Sequence, residues 1–393
     1  MLAATIRVTG DIDVAEECVQ EAYSQALTTW PTTGVPTKTG AWLTTVARRK
    51  AIDHLRRQST QDRLLPRIVD ANEDAKAVDG DAPLISDDRL RLIFTCCHPA
   101  LSLETQVALT LRLLCGLTTS EVARAFLVTE PTMAARLARA KKKIRTSGIP
   151  YRVPTAADLP ARTDAVLSVV HLVFTTGHTA PSGSELMRRD LIERALELCR
   201  MLRVLLPDDA GVMGLLALIT LTDARQRTRT GPEGELLLLS QQDRSLWDRD
   251  AIDDGARLVR EALAQRPAGR FALMAAIAAL HAQAPSWEAT DWAEVVALYD
   301  LLLVIWPSPV VALNRAVAVG FVEGPDAGLA ALEELRDEPQ LASYSYLAST
   351  RADFLRRLGR VGESSSAYYE ALELCSNDVE RAFLLRRIDE LGD

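Results

Sequence analysis

The stretch LTTSEVARAFLVTEPTMAARLARAKKKIR, from Leu117 to Arg145, predicts two short helices separated by a tight turn. Thr119 or Ser120 is a suitable N-cap for the first helix, and Thr129 is suitable for the second. The apolar positions of the second helix recur at helical spacing and are Met133, Leu137, Ala140 and Ile144. This arrangement is typical of a helix-turn-helix, whose second helix lies in the major groove of DNA.

The second helix ends in a concentration of positive charge, although the whole chain has a formal net charge of -8. Its basic residues are Arg136, Arg139, Lys141, Lys142, Lys143 and Arg145. Residues 1–150 carry 20 Lys and Arg against 17 Asp and Glu, whereas residues 151–393 carry 25 against 36. The charge distribution therefore predicts that nucleic acid is bound by the first 150 residues, if by any part of the chain.

A helix-turn-helix would present the start of its second helix to base edges and its basic residues to phosphates. The residues expected at base edges are Glu130, Pro131, Thr132, Ala134, Ala135 and Arg136, and Arg136 could form a bidentate contact with guanine. The residues expected at phosphates are Arg139, Lys141, Lys142 and Lys143. An alternative is that the basic residues only compensate the helix dipole. The turn also lacks the glycine that many such motifs have, because Leu127 occupies it.

Residues 1–57 predict further helices. Asp13 is the expected N-cap of one of them, with Glu16 completing a capping box, and Pro31–Pro36 is expected to end it. The next helix begins near Gly40 and carries a second basic face. The basic residues of this face are Arg48, Arg49, Lys50, Arg56 and Arg57. A second basic helix favours nucleic-acid binding, although a solvated charged face is the alternative.

The remaining sequence predicts an all-α chain. Residues 59–87 include the acidic stretch Asp70–Asp81 and few large apolar side chains, so they are predicted to form a flexible linker. Residues 88–148 return to helical patterning, and Ile149–Pro154 is predicted to be a rigid joint. Residues 149–393 are rich in Ala and Leu and have almost no strand pattern.

Two predicted helical hairpins near the C-terminus begin at Val310 and Tyr344. These positions are 34 residues apart, which is the period of tetratricopeptide units. The sequence therefore predicts a tetratricopeptide-like domain over residues 149–393, with an irregular α-helical domain as the alternative.

The sequence does not predict an enzyme, a cofactor or a metal site. Six scattered cysteines do not form a disulfide framework, which fits a reducing compartment. Cys96, Cys97 and His98, with Cys115, do not have the spacing of a zinc site, because adjacent cysteines rarely chelate one ion. No nucleophile, base and acid group together in a catalytic pattern. No apolar run approaches the roughly 20 residues that span a bilayer. The first residues, Met1–Arg7, are not expected to act as a secretory signal, because the apolar stretch is short and acidic residues follow it. The expected location is therefore the cytoplasm.

Residues 11–57 resemble the second domain of sigma factors of the extracytoplasmic-function group, and residues 88–147 resemble their fourth domain. The matching motifs are Gly10-Asp11, Ala15-Glu16-Glu17, Val19-Gln20-Glu21-Ala22, Ala26-Leu27, Trp30-Pro31, Ala41-Trp42-Leu43 and Ala47–Arg57. The run Cys96–Leu101 and the long tail after Tyr151 resemble a subgroup with a C-terminal tetratricopeptide-like extension. Relatives usually have a further helical turn before Leu2–Gly10, so a misassigned start codon is expected in preference to a shortened first helix.

The resemblance implies three sets of site residues. Those implied to bind the β′ clamp helices of core RNA polymerase are Asp13, Glu16, Glu17, Gln20, Glu21, Leu27 and Trp30. Those implied to contact the −10 promoter element are Trp42, Arg48, Arg49, Lys50, Asp53, Arg56 and Arg57, with the loop at 31–39 holding a flipped base. Those implied to read the −35 element are Glu130, Pro131, Thr132, Ala135, Arg136, Arg139, Lys141, Lys142 and Lys143. The β flap of the polymerase is a further implied partner.

The function implied by the resemblance is promoter-specific initiation of transcription without catalysis by the chain itself. The implied domains are residues 1–58 for polymerase and −10 binding, 59–87 for the linker, 88–148 for −35 binding and 149–393 for regulation. The acidic C-terminal region would regulate the chain by holding its basic helices or by binding a regulatory protein. Two alternatives are a helix-turn-helix repressor or activator with a helical sensor domain, and a helical-repeat scaffold.

Overall fold

The computed structural model describes residues 1–61, 83–126, 128–155 and 157–392. Within these ranges the regular secondary structure consists of α-helices and short 3-10 helices, with no β-strand, so the predicted all-α class is confirmed. The chain divides into two compact units, Met1–Val169 and Val170–Asp393. None of the described helices is both long enough and apolar enough to cross a membrane.

The first unit contains the two predicted basic helices. Its helices are α1 (Leu2–Thr9), α2 (Ile12–Thr33), α3 (Thr39–Gln61), α4 (Pro83–Cys96), α5 (Leu103–Leu113), α6 (Thr119–Ala125) and α7 (Glu130–Thr146). A further helix, α8 (Leu159–His178), extends across the boundary between the units. Helices α3 and α4 both extend into the segment that was predicted as a linker, and the part between them, residues 62–82, lies outside the described residues.

The N-cap of α2 is Asp11, so the prediction of Asp13 was wrong. Gly10 has a φ of 66° and ends α1 in the left-handed region, where glycine has no Cβ penalty. Asp11 follows in an extended conformation, and its carboxylate accepts from the backbone N–H groups of Asp13 at 2.8 Å and Val14 at 3.3 Å. Asp13 therefore lies in the first turn, where its charge favours the helix dipole.

Pro31 does not end α2, which continues to Thr33. Because Pro31 lies in the last turn, its missing N–H removes one hydrogen bond near the helix end and leaves the preceding ladder intact. The helix ends at Gly34, whose φ is 85°. The helix therefore ends within the predicted stretch Pro31–Pro36, but Gly34 and not Pro31 ends it.

Small side chains bring α2 and α3 together. Their shared core consists of Ala22, Ala26, Leu43, Val46 and Ala47. Trp30 and Trp42 pack against this core and contact each other edge to face, with ring centroids 5.4 Å apart. The opposite faces of both helices are left exposed for other contacts.

The helix-turn-helix is formed by α6 and α7. The predicted inner face of α7 is confirmed, because Met133, Leu137, Ala140 and Ile144 are all buried. The cap of α6 is Thr118, one residue before the predicted Thr119 or Ser120. Thr118 Oγ1 accepts from the N–H of Glu121, and the Glu121 carboxylate accepts from the N–H of Thr118, which completes a capping box. Leu127, predicted to lie in the turn, is outside the described residues.

The second unit is a larger array of helices. They are α9 (Arg189–Leu205), α10 (Ala210–Asp223), α11 (Arg249–Ala264), α12 (Arg270–Gln283), α13 (Trp292–Ile305), α14 (Pro309–Val322), α15 (Pro325–Glu333), α16 (Ser345–Arg357), α17 (Val361–Leu374) and α18 (Asp378–Asp389). Short 3-10 helices span Gln226–Thr228, Leu239–Gln241 and Arg244–Leu246.

The two predicted hairpins are present as α14 with α15 and α16 with α17. Phe354 of α16 packs on two glycines of the first hairpin. A Cβ atom at Gly320 would lie 2.4 Å from the Phe354 ring, and one at Gly328 would lie 2.6 Å from it. A side chain at either position would clash with the ring, so glycine allows this apolar contact between the two hairpins, and Arg357 adds a hydrogen bond to the carbonyl of Gly320.

Candidate nucleic-acid interface

The start of α7 presents the predicted base-reading face to solvent. The exposed residues of this helix that belong to the predicted −35 set are Glu130, Pro131, Thr132, Ala135, Arg139, Lys142 and Lys143. Arg136 is half-buried, and its guanidinium lies 3.5 Å from the Glu104 carboxylate of α5. Lys143 donates to the carbonyl of Ala100. The helix therefore exposes a surface of mixed polarity at its N-terminal half and cations at its C-terminal half.

The basic face of α3 is the second cationic surface. Arg49, Asp53, Arg56 and Arg57 are exposed, whereas Arg48, Lys50 and Trp42 are half-buried. Asp53 lies 3.9 Å from Arg56 and partly offsets its charge. The predicted −10 residues thus share one helix, with their charged groups largely accessible to solvent.

The outer face of α2 is exposed and partly apolar. Glu17, Gln20 and Glu21 are exposed, and Leu27 is 78% exposed. Tyr23 is 51% exposed on the same face, four residues before Leu27, and the sequence prediction did not include it. Its place four residues before Leu27 would have been sufficient to assign it to this face.

Trp30 does not belong to this exposed surface. It is half-buried beside Trp42, and its indole N–H is buried without a hydrogen-bond partner among the described residues. We therefore place Trp30 in the packing between α2 and α3, where it supports the exposed face without forming part of it.

Lys141 is also removed from its predicted surface. Its ammonium group contacts the carboxylate of Glu16 and lies 3.1 Å from that of Asp13. The side chains of Lys141 and Glu16 are only 14% and 15% exposed. Burial opposes the charged form of Lys141, but the hydrogen bond and charge of Glu16, together with Asp13, raise its pKa above the ordinary value. A predicted DNA-binding residue is thus paired with predicted polymerase-binding residues.

Two further arginines extend this network of ion pairs. Arg145 lies 2.9 Å from Asp11, and Arg112 of α5 lies 3.1 Å from Glu16. Although partial burial opposes it, the hydrogen bond from Arg145 holds the pKa of Asp11 below its usual value. We call the set Asp11, Asp13, Glu16, Arg112, Lys141 and Arg145 the α2–α7 ion-pair network. Arg112 and Asp11 were missed from the sequence because their partners are more than 90 positions away.

Lys50 and Glu21 form a second link between predicted sites. The Lys50 ammonium of α3 lies 3.1 Å from the Glu21 carboxylate of α2, and both side chains are at least 40% exposed. Solvent screening makes such a pair weak. It therefore leaves both residues available to other partners, unlike the pair formed by Lys141 and Glu16.

The cysteines of the first unit are packing residues in this structure. Cys96, Cys97 and Cys115 are buried and do not form disulfide bonds. Burial raises the pKa of the Cys97 thiol to about 12, so it is protonated and unreactive near neutral pH. Across the described ranges, no group of three or more His, Cys, Asp or Glu side chains could hold a metal ion.

Comparison with known proteins assigns both halves of the first unit. Residues 2–61 match the family model for Sigma-70 region 2, and residues 91–144 match the model for Sigma-70, region 4. Residues 162–263 match a family of unknown function, DUF6596. The match to region 2 covers α1 to α3, and the match to region 4 includes the helix-turn-helix.

Similar proteins occur in two bacteria. Uncharacterized protein R00370 of Rhizobium meliloti (strain 1021) is 41% identical over 395 residues, which cover 100% of this chain and 93% of that protein. The probable ECF RNA polymerase sigma factor SigI of Mycobacterium tuberculosis, in strains CDC 1551 / Oshkosh and ATCC 25618 / H37Rv, is 30% identical over 182 residues. That match covers 44% of this chain and 62% of SigI. The chain belongs to the sigma factors of the extracytoplasmic-function group and carries a large helical C-terminal extension.

Replacing Glu16 tests the α2–α7 ion-pair network. Glu16→Gln keeps the shape of the side chain but removes the charge that faces Lys141 and Arg112. Because these cations are partly buried, we expect the variant to lose about 2 kcal/mol of local stability. Hydrogen exchange at the α7 amides, measured at neutral pH, should become roughly thirtyfold faster.

The matched control is Glu21→Gln, which breaks the exposed pair with Lys50. This change should cost less than about 1 kcal/mol, because solvent already screens the pair. Equal exchange rates in the two variants would show that the α2–α7 ion-pair network does not hold these helices together.

Proposed function

We propose that this sigma factor binds core RNA polymerase through the outer face of α2 and reads promoter DNA through α3 and α7. The family assignment implies core polymerase and promoter DNA as partners. The observation that carries the residue-level proposal is the exposure of three separate surfaces on one compact unit. The chain would act without catalysis of its own, in the cytoplasm where the polymerase works.

The exposed apolar pair Tyr23 and Leu27 supports a protein partner for α2. Isolated exposed apolar residues are common, but here two lie one helical turn apart and are bordered by Glu17, Gln20 and Glu21. An apolar centre with a charged rim is typical of a protein–protein contact. The acidic rim would pair with basic residues of the β′ clamp helices.

Helix α7 would read the −35 element from the major groove. Its N-terminal residues Glu130, Thr132 and Ala135 are exposed where base edges would lie, and Arg139, Lys142 and Lys143 follow toward the phosphates. Arg136 would reach guanine after leaving Glu104, a weak and solvent-exposed partner. The β flap of the polymerase would support this domain on the DNA.

Helix α3 would contact the −10 element. Arg49, Arg56 and Arg57 provide exposed phosphate contacts, with Asp53 among them. The segment between α2 and α3 lies next to Trp42, so a base flipped out of the melted strand would meet an aromatic side chain. This is the arrangement expected of a surface that holds single-stranded DNA.

The α2–α7 ion-pair network would make binding of the polymerase to α2 precede binding of DNA to the end of α7. Lys141 cannot contact phosphate while it is paired with Glu16, and Glu16 cannot contact the polymerase while it is paired with Lys141. Binding of the polymerase to α2 would therefore release the end of α7 for DNA. The polymerase supplies a protein surface that replaces Lys141 and Arg112 as partners of Glu16.

The second unit is proposed to regulate the first. Residues 151–393 carry 36 acidic against 25 basic residues, so this region can compete electrostatically with DNA or bind a regulatory protein. A chain that ends after residue 178, which keeps α8 whole, should change transcript levels from a cognate promoter in cells by several-fold. Circular dichroism would verify that the shortened chain is folded. Unchanged activity and regulation would contradict this part of the proposal.

Leu27→Ser tests the polymerase surface. We expect its affinity for core polymerase to fall by at least about tenfold, because an apolar contact at the centre of an interface is replaced by a hydroxyl. Run-off transcription from a cognate promoter should fall in parallel. The measurement is a titration of purified core polymerase with the full-length chain.

The matched control is Val204→Ser in the second unit, since Val204 is also 78% exposed. It should bind polymerase as the unmodified chain does. If the unmodified chain fails to bind polymerase but binds duplex DNA tightly, the chain acts as a conventional repressor or activator. If it binds neither, the helical-repeat scaffold is the better interpretation.

Lys142→Gln tests the contact of α7 with phosphate. The holoenzyme carrying this change should bind all promoters more weakly, without a change in their order of preference. The slope of log affinity against log salt concentration should decrease in magnitude by about one. Arg336→Gln, an equal loss of charge on an exposed residue of the second unit, serves as the control and should leave the slope unchanged.

A further inference from the structure

Two arginines of the second unit lie over one buried tryptophan, and a third arginine lies close enough to the first to affect its charge. Arg225 follows the end of α10, Arg229 follows the first 3-10 helix, and Arg244 begins the third. The guanidinium carbons of Arg225 and Arg244 lie 5.8 and 4.5 Å from the ring centroid of Trp247. Trp247 is 3% exposed, and its indole N–H donates to Thr228 Oγ1 at 2.8 Å. The aromatic ring therefore has a fixed position, and two guanidinium groups lie over it.

No carboxylate in the described part of the chain forms an ion pair with any of these arginines. Glu288 acts on Arg244 and Glu380 acts on Arg229, but each only from beyond ion-pairing distance. Elsewhere in the second unit, exposed arginines pair directly with acidic residues, as Arg257 does with Asp254 and Glu261. The cluster around Trp247 thus differs from the ordinary surface of this unit.

Uncharged oxygen atoms accept hydrogen bonds from only two of the three arginines. Arg244 donates to the carbonyls of His281 at 2.8 Å and Ala284 at 2.7 Å. Arg229 donates to the carbonyl of His178 and to Thr179 Oγ1. The Arg225 side chain forms no hydrogen bond with any described residue, and its Nε atom is buried.

Three buried polar atoms in this cluster have no partner among the described residues. They are Nε of Arg225, Nη2 of Arg244 and Nδ1 of His281. Burial and the two neighbouring arginines lower the pKa of His281 to about 4, so its ring is neutral near pH 7. Buried polar atoms normally have a partner, and three without one in a single cluster indicate a missing ligand.

The positive charge of the three arginines also has no ion-paired carboxylate to balance it among the described residues. Burial, with Arg229 and Arg244 nearby, lowers the pKa of Arg225 to about 10, which still leaves it charged near neutral pH. Like charges in a partly buried site oppose one another and are costly without a counter-charge. A negatively charged ligand would offset the repulsion between the arginines and would also accept hydrogen bonds from their N–H groups.

We propose that the second unit binds a small oxyanion, a phosphate or a carboxylate group, at Arg225, Arg229 and Arg244. Each guanidinium presents a planar fork of donors that matches the oxygens of such a group. Arg225 would be the principal ligand, because its donors are free, and Arg229 and Arg244 would add charge from either side. Trp247 and the carbonyls of His281 and Ala284 would keep the forks in place.

Anion binding to the full-length chain tests this proposal, with inorganic phosphate as the first probe and acetate as the second. Calorimetric titration at constant ionic strength, balanced with chloride, should show saturable binding of at least one of them. The thermal midpoint of unfolding should rise with its concentration. Binding of phosphate alone assigns a phosphate-bearing ligand, and binding of acetate alone assigns a carboxylate.

Arg225→Met separates a ligand-binding residue from a packing residue. Methionine can cover the Trp247 ring, but it has no charge, so affinity for the anion should fall at least about tenfold. Without anion, the variant should be as thermostable as the unmodified chain or more so, since a like-charge repulsion is removed. A purely structural arginine would give a large loss of stability instead. Arg225→Lys keeps the charge and should retain part of the binding.

The control is Arg336→Met, which removes one exposed arginine that pairs with Glu333 at 2.7 Å. It should bind the anion as the unmodified chain does. The proposal is overturned if the unmodified chain binds neither probe, or if both methionine variants lose affinity equally. Polymerase and DNA are absent from the assay, so its outcome is independent of the function proposed for the first unit.

Discussion

The contact of Lys141 with Glu16 and Asp13 links two helices of the first unit that are distant in sequence. It joins the end of α7 to the start of α2, and Arg145 and Arg112 extend it on either side. A partly buried ion pair of this kind contributes specificity of arrangement more reliably than net stability, because desolvation offsets much of the attraction. It is therefore suited to hold two recognition surfaces together until a stronger partner replaces one side.

The two units place positive charge in opposite environments. In the first unit, the half-buried Lys141 faces two carboxylates, and the other cations are mostly exposed to water. In the second unit, Arg225 and Arg244 lie over Trp247 with Arg229 near Arg225, and no carboxylate among the described residues lies within ion-pairing distance of them. In the first unit, the charges of Lys141, Glu16 and Asp13 balance one another, and we expect these ion pairs to break only when a polymerase surface replaces one partner. In the second unit, the charge of the arginines would be balanced only by a bound anion.

Small side chains determine where the helices can approach. Ala22, Ala26 and Ala47 let α2 and α3 pack closely, so that Leu27 and the basic face of α3 remain on the outside. In the second unit, Gly320 and Gly328 accommodate the ring of Phe354. In both units the close packing of a few apolar positions leaves the chemically useful side chains exposed or free.

The sequence by itself determined the helical class, the family and most of the exposed faces of α2, α3 and α7. Helical periodicity is local, so the buried face of α7, with Met133 and Leu137, could be predicted without knowledge of the fold. The N-cap at Asp11 was missed because the conformation of Gly10 decides where α2 begins. Only the tertiary structure decided that Lys141 faces Glu16, 125 positions away, and that Arg225 and Arg244 lie over one tryptophan. Interactions between distant residues depend on how helices pack, and no local pattern records that packing.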